Sequence, residues 1–522
     1  MTLPANTAAA ALLQVLREEG VDTWFANPGT TELDLVRAVE VCDGVRVVLG
    51  LQENVCTGAA DGYGRMTGRP AATLLHLGPG FANGIANLHN ARRARTPIVN
   101  VIGDHASWHL PYDAPLTSDI ESLARPVSGW VRRIASASDA VPAAREAVRQ
   151  SVVGGQGATL IFPADFQAEG LEGGALVPTA TTQTVGTSDH PAQWNPATAL
   201  ERITSARRIV LLLGGGGERS ALGERGQRAA ARLVARLGAT AFAETFPSRA
   251  ERGRGLPAFD RLPYFPEPAR AVLDAADLVV LAGALPPVTY FGYEGHPSQL
   301  VEEGRLLRLA DPGEDAAGRL ERLADQLEAP AFVAPEFPLP AAEGALTPQG
   351  VAAVLARRLP QDAIVSVEGG TCGYPFYAAS AAAARHTALT NTGGAIGQGL
   401  PVALGAAVAC PGRPVVALVS DGSTQYTIQS LWTIAHENLP VVVLVAANHQ
   451  YAILRNELRR GGAALGARAE AMTALERPRI DWVQLARAYG VEASRCGTVA
   501  ELDTALGAGF SAGRPMLIEM SL

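Results

Sequence analysis

Two short polar segments, each closing an apolar run, carry the clearest chemistry in this sequence. The first is Ser420-Asp421-Gly422-Ser423, after the β-branched run 415–419; the second is Asn448-His449-Gln450-Tyr451, after 440–447. Both runs have the length and composition of buried strands. A helical pattern over 425–437 separates them, which makes a strand–helix–strand crossover with parallel strands. Asp421 and Asn448 then lie at one edge of one sheet, where open α/β sheets hold ligands. A carboxylate, an amide oxygen and nearby backbone carbonyls suit a hard cation such as Mg²⁺ bridging a diphosphate. The same residues also describe a helix-capping Asp and a strand-ending Asn, and spacing alone leaves both readings open.

The elements that position these groups belong to a long chain. Its 522 residues suffice for about three domains. Apolar residues make up 48% and charged residues 18%, which fits a chain with large buried cores. A formal net charge of −8 gives no reason to expect a nucleic-acid partner. The five cysteines (42, 56, 372, 410 and 496) form no CxxC pair, so neither structural zinc nor a disulfide framework is expected. A reducing compartment follows, and the cytoplasm is the expected location. Residues 7–20 read as an amphipathic helix rather than a signal peptide, and no apolar run approaches the ~18 residues of a membrane span. None of the 43 basic residues is lysine. That excludes Schiff-base catalysis and a P-loop lysine, so any carbanion chemistry needs an electron sink other than pyridoxal phosphate.

Residues 1–168 alternate strand patterns (21–25, 45–49, 71–75, 97–102) with helical ones (7–20, 53–64, 82–94), which predicts a doubly wound parallel sheet. The small residues within 53–64 suit a helix packed closely on another surface. Residues 169–195 shift to Gly, Pro, Thr and Ser and read as a linker. A second α/β unit spans 196–330, with core strands at 208–213 and 277–283. Its Gly214–Gly217 run is not G-x-G-x-x-G and reads as a tight turn. A second, proline-bearing linker covers 331–345, and 346–522 form a third unit that contains Asp421 and Asn448. The expected architecture is α/β, three doubly wound parallel-sheet domains.

Four motifs, in order, resemble the thiamine-diphosphate enzymes of the acetolactate synthase and benzoylformate decarboxylase group. They are Asn27-Pro28-Gly29-Thr30-Thr31-Glu32; Gln52-Glu53 with 60–68; 393–401 around Ile396; and Asp421-Gly422-Ser423 with Asn448. Ser420 stands where the group usually has a glycine. The resemblance covers essentially the whole chain and implies a pyrimidine-binding, a central and a diphosphate-binding domain. It implies that Asp421, Asn448 and the Gln450 carbonyl hold Mg²⁺, and that Pro28, Gly370, Thr371, Gly422, Ser423 and Tyr451 contact the cofactor. Ile396 matches the apolar wedge behind the cofactor. Glu53 matches the glutamate that protonates the aminopyrimidine ring; on its residues alone, Glu53 is equally a carboxylate favoured by a helix N-terminus. The group builds its site between two chains, so at least a homodimer is implied, with a homotetramer common.

The same resemblance makes His76 the proton donor near the substrate and places Thr30 where a substrate-contacting serine lies. A second histidine, in the middle unit, has no counterpart; that region reads Pro287-Val-Thr-Tyr-Phe-Gly-Tyr293. His105, His109 and His296 read as loop or surface histidines that could substitute in space. No adenine or ribose signature stands out in the middle unit, so FAD is not expected. The leading expectation is decarboxylation of a 2-oxo acid followed by carboligation to a second carbonyl, as in acetolactate synthase. Simple decarboxylation to an aldehyde is the alternative within enzymes, and a non-catalytic cofactor-binding relative is the alternative outside them.

Overall fold

The computed structural model describes residues 6–171, 195–462 and 466–522, so nearly all of the expected 169–195 linker lies outside the described residues. Three sheets organise the chain. The first has six parallel strands in the order Arg46–Leu49, Thr23–Asn27, Ala71–His76, Ile98–Asp104, Gly157–Pro163, Trp130–Arg133. The second has five parallel strands, Asp260–Arg261, Thr240–Ala243, Ile209–Leu213, Leu278–Ala282, Leu306–Ala310. The third runs Glu492–Cys496, Met516–Ser521, Val441–Ala447, Val415–Ser420, Ala363–Val367, His386–Thr390, and ends in Ala250–Arg252. Its strands are parallel except that last one, which pairs antiparallel with His386–Thr390. The middle segment therefore lends an edge strand to the C-terminal sheet. Three residues are too few for a period-2 pattern to register, so this strand leaves no signal in the sequence.

The central strands of the first and third sheets are buried on both faces, as parallel sheets covered by helices require. Between those sheets, helix Glu53–Thr67 packs on helix Gly399–Ala409, and one continuous core joins them. The approach is close: a Cβ on Gly405 would come within 1.8 Å of the Ala59 carbonyl. The small residues within 53–64 serve this contact. Buried Arg65 pairs with buried Asp61 at 2.6 Å and donates to the Thr390 carbonyl at 2.6 Å, so the N-terminal helix is tied to the C-terminal sheet.

Two helices differ from expectation. Helix Leu77–Ala94 starts five residues before the predicted 82. Leu77 takes φ +52, and Pro79 falls in the first turn, where its missing N–H costs nothing. The predicted helix 425–437 is broken into Asp421–Thr424, a 3₁₀ turn Gln425–Thr427 and Ser430–His436. Residues 331–344 contain neither helix nor strand. Among the described residues, no helix is long and apolar enough to cross a membrane.

Candidate active site

Strands Val415–Ser420 and Val441–Ala447 are adjacent and in register, so Asp421 and Asn448 emerge together at their C-terminal ends. Asp421 is buried. Its Oδ1 accepts from Gly422 N–H at 2.8 Å and its Oδ2 from His449 N–H at 2.7 Å. Burial raises its carboxyl above the usual carboxylate range, and these backbone donors only partly offset that. Asn448 donates from Nδ2 to Thr371 Oγ1 at 3.1 Å, and its Oδ1 accepts from Gln450 N–H at 3.1 Å. Thr371 and Gly370 open helix Gly370–Ala379, whose free N–H groups suit an anion. A desolvated carboxylate, an amide oxygen and a helix N-terminus thus converge, a donor set that fits a hard cation holding a diphosphate. Among the described residues, no cluster of three His, Cys, Asp or Glu side chains forms, so backbone, cofactor or water oxygens must complete such a shell.

Ser420 sits without strain because Gly369 faces it: a Cβ there would lie 2.0 Å from Ser420 Oγ, and Gly369 has φ +108. Tyr451 lays its ring against Gly422, and the Gln450 side-chain oxygen accepts from Arg455. Ser423 is buried beside them. The 391–398 loop carries half-buried Ile396 and is held from two sides. Buried Glu368 accepts from Gly397 N–H and Gly399 N–H, both at 2.7 Å, with its carboxyl raised by burial. From the N-terminal unit, Asn90 donates to the Ala395 carbonyl at 2.8 Å and accepts from Ala395 N–H at 3.1 Å.

The N-terminal groups cluster separately. Glu53 is the first residue of helix Glu53–Thr67, with Gln52 as its cap, and Glu53 Oε2 accepts from Asn83 at 3.1 Å. His76 caps helix Leu77–Ala94, and its Nδ1 lies 2.8 Å from Glu32 Oε2 and 3.2 Å from Thr31 Oγ1. Glu32 is fully buried; it also accepts from Gly29 N–H at 2.8 Å and Thr31 Oγ1 at 2.7 Å. Pro28 is half-buried and Thr30 exposed on the same turn. The described bonds of Glu53 and His76 stay within the N-terminal unit, and those of Asp421 and Asn448 within the C-terminal one.

Of the other histidines, His105 meets His109 edge-on at 5.4 Å, and His296 lies 3.4 Å from Glu267. The middle-unit stretch without a histidine contributes rings instead: Tyr290 packs on Phe246 at 5.2 Å and on Tyr264 at 4.8 Å. The Gly214–Gly217 turn is tied down by Glu244, which accepts from Gly215 N–H at 2.6 Å; burial pushes the Glu244 carboxyl up to about 7. Two groups of the site escape sequence reasoning. Glu32 lies inside a recognised motif but meets a histidine 44 residues away, and Glu368 is marked only by following a strand.

The chain matches the model of the thiamine pyrophosphate enzyme N-terminal TPP binding domain over residues 6–122 and that of the C-terminal TPP binding domain over 368–520. It is 47% identical to IlvX of Mycobacterium tuberculosis, provisionally named an acetolactate synthase large subunit, covering 98% of both chains. It is 30% identical to benzoylformate decarboxylase of Pseudomonas aeruginosa over 99% of this chain and 98% of that one. The thiamine diphosphate-dependent 4-hydroxybenzoylformate decarboxylase of Rhodococcus jostii superimposes with a TM-score of 0.84 at 26% identity, covering 99% of each chain. A buried acid–amide pair on one sheet and a carboxylate-backed histidine on another, under these matches, make the chain a member of the thiamine pyrophosphate enzyme family.

Proposed function

We propose that the chain is a thiamine-diphosphate- and Mg²⁺-dependent decarboxylase of a 2-oxo acid that releases an aldehyde. The observation that carries this reading is the Glu32–His76 pair. A buried carboxylate on Nδ1 fixes the ring orientation and leaves Nε2 free to face the substrate. When bound, the cofactor supplies the electron sink for the bond to the departing carboxylate. Asp421, Asn448 and the Gln450 carbonyl would hold the metal and diphosphate, with the helix N-terminus at Gly370 and Thr371 offering N–H groups to the anion. Gly422, Ser423, Pro28, Tyr451 and Ile396 would line the bound cofactor. Glu53 holds a proton against the pyrimidine ring at one of its carboxyl oxygens. Thr30 orients the substrate carboxylate, and His76 Nε2 delivers a proton to the carbon that CO₂ leaves.

Carboligation is the second reading, supported by the 47% identity to a chain named for acetolactate synthase. The two diverge at one point: whether a proton from His76 or a second carbonyl reaches the carbon first. We place the composite site between two chains of a homodimer or larger homo-oligomer, since Glu53 and Asp421 bond within separate units. Product analysis from a single 2-oxo acid tests the choice. Aldehyde is the expected main product; a hydroxyketone as main product would overturn it in favour of ligation.

A further inference from the structure

Arg261 ends strand Asp260–Arg261 in register with Ala243, which in turn aligns with Leu213 and Ala282, so it stands at the C-terminal edge of the middle sheet. That is the edge where open α/β sheets receive ligands. Its guanidinium carbon lies 4.5 Å from the ring centroids of Tyr374 and Tyr377 and 5.9 Å from that of Phe246. Among the described residues it has neither a hydrogen bond nor a carboxylate partner. A second cation shares its ring: Arg252 lies 3.6 Å over Tyr377 and donates to Ser380 Oγ and the Tyr377 carbonyl. Burial and Arg252 both pull the Arg261 pKa down, and only the two tyrosines oppose them. A largely desolvated guanidinium bedded on rings recovers part of its lost hydration as cation–π attraction, but its planar fork of donors still lacks an anion.

The setting says where that anion comes from. Tyr374 stands one turn into helix Gly370–Ala379, and its ring lies against Gly370, where a Cβ would meet it at 3.2 Å. Thr371, the next residue of that first turn, accepts from Asn448. One tyrosine ring therefore separates Arg261 from the metal–diphosphate clamp. Beyond it the wall continues through Phe246, Tyr290 and Phe291, with Tyr374 44%, Tyr290 38% and Phe291 59% exposed, so the rings face open space. A run of rings meeting edge to face covers an apolar stem, and a guanidinium at its end suits a carboxylate.

We propose that Arg261 receives an anionic group at the far end of the substrate, so that the chain selects 2-oxo acids bearing a second carboxylate over uncharged ones of the same shape. This rests on the 2-oxo acid reading above. The reacting carboxylate belongs to Thr30 and His76 on the N-terminal sheet, and Arg261, on the middle sheet, takes the other end.

The test uses the full chain loaded with thiamine diphosphate and Mg²⁺. It compares 2-oxoglutarate with its isostere carrying an isopropyl group in place of the far carboxylate. The unaltered chain is expected to favour the diacid in kcat/KM by about thirtyfold or more, the low end for losing a hydrogen-bonded charge partner. Arg261→Gln should collapse that ratio towards one through the KM of the diacid, leaving cofactor affinity unchanged, and Arg261→Lys should restore part of it. Preference for the isostere, or an equal loss on both substrates in Arg261→Gln, overturns the proposal. So does a fall in cofactor affinity with the ratio unmoved, which would make Arg261 a diphosphate anchor. If no 2-oxo acid is turned over, calorimetry with glutarate separates the two claims. Binding that Arg261→Gln abolishes keeps the anion site while the decarboxylase reading falls; no glutarate binding removes the anion site as well.

Discussion

Glu32 has no exposed surface, yet it accepts from His76, Thr31 and the Gly29 backbone. A buried carboxylate with three partners is rigid, and the imidazole it holds inherits that rigidity. Glu32→Gln keeps the size but removes the carboxylate that orients the His76 ring through Nδ1. We expect kcat to fall on the order of a hundredfold, with cofactor affinity unchanged; steady-state kinetics with calorimetry reads both. Glu244 offers a second test, on stability. Its carboxyl is raised to about 7 by burial, so the folded chain binds a proton the unfolded chain releases at lower pH. The sign follows: stability is fully present below the ordinary carboxylate range and falls as pH rises from there through about 7. Glu244→Gln should remove that fall, narrowing the gap between thermal midpoints at acid and mildly alkaline pH by the equivalent of about 3 kcal/mol. Asp421 and Asn448 were legible in the sequence because their strands are long, apolar and close in the chain. Glu32 and Glu368 were not, because an acid's role depends on partners brought to it by folding.

At the scale of elements, helix Leu77–Ala94 has His76 at its N-terminus, and near its other end Asn90 grips the loop that carries Ile396. Asn87 adds a bond to the Gly397 carbonyl at 3.3 Å, and His89 one to the Gly393 carbonyl at 3.1 Å. Asn90→Ala removes two of these bonds and should weaken cofactor binding about tenfold, the scale of one to two lost buried hydrogen bonds. Unchanged affinity by calorimetry would mean that Glu368, Asn87 and His89 suffice to hold the loop. The alternation of strand and helix was readable because parallel sheets impose it, and the strands flanking Asp421 and Asn448 fall within a residue of expectation. What escaped reading was local geometry against pattern: a helix starting through Gly-Pro-Gly, a helix broken after Asp421, and a three-residue edge strand from another part of the chain.

At the scale of the whole molecule, the N-terminal and C-terminal units share one core through helices Glu53–Thr67 and Gly399–Ala409, while Glu53 and Asp421 face their own partners. If each site draws Glu53 from one chain and Asp421 from another, two inactive variants should complement. Mixing Glu53→Gln with Asp421→Ala under conditions of subunit exchange puts one intact site in half of the dimers, so about a quarter of the unaltered activity should return. No recovery after proven exchange would place both residues of a site in one chain. Decarboxylation is measured most directly as CO₂ release from a panel of 2-oxo acids by the chain with thiamine diphosphate and Mg²⁺, run beside Glu53→Gln. CO₂ is expected from at least one acid, and is lost in Glu53→Gln while cofactor binding persists. No CO₂ from any acid, with no cofactor binding by calorimetry, would contradict it.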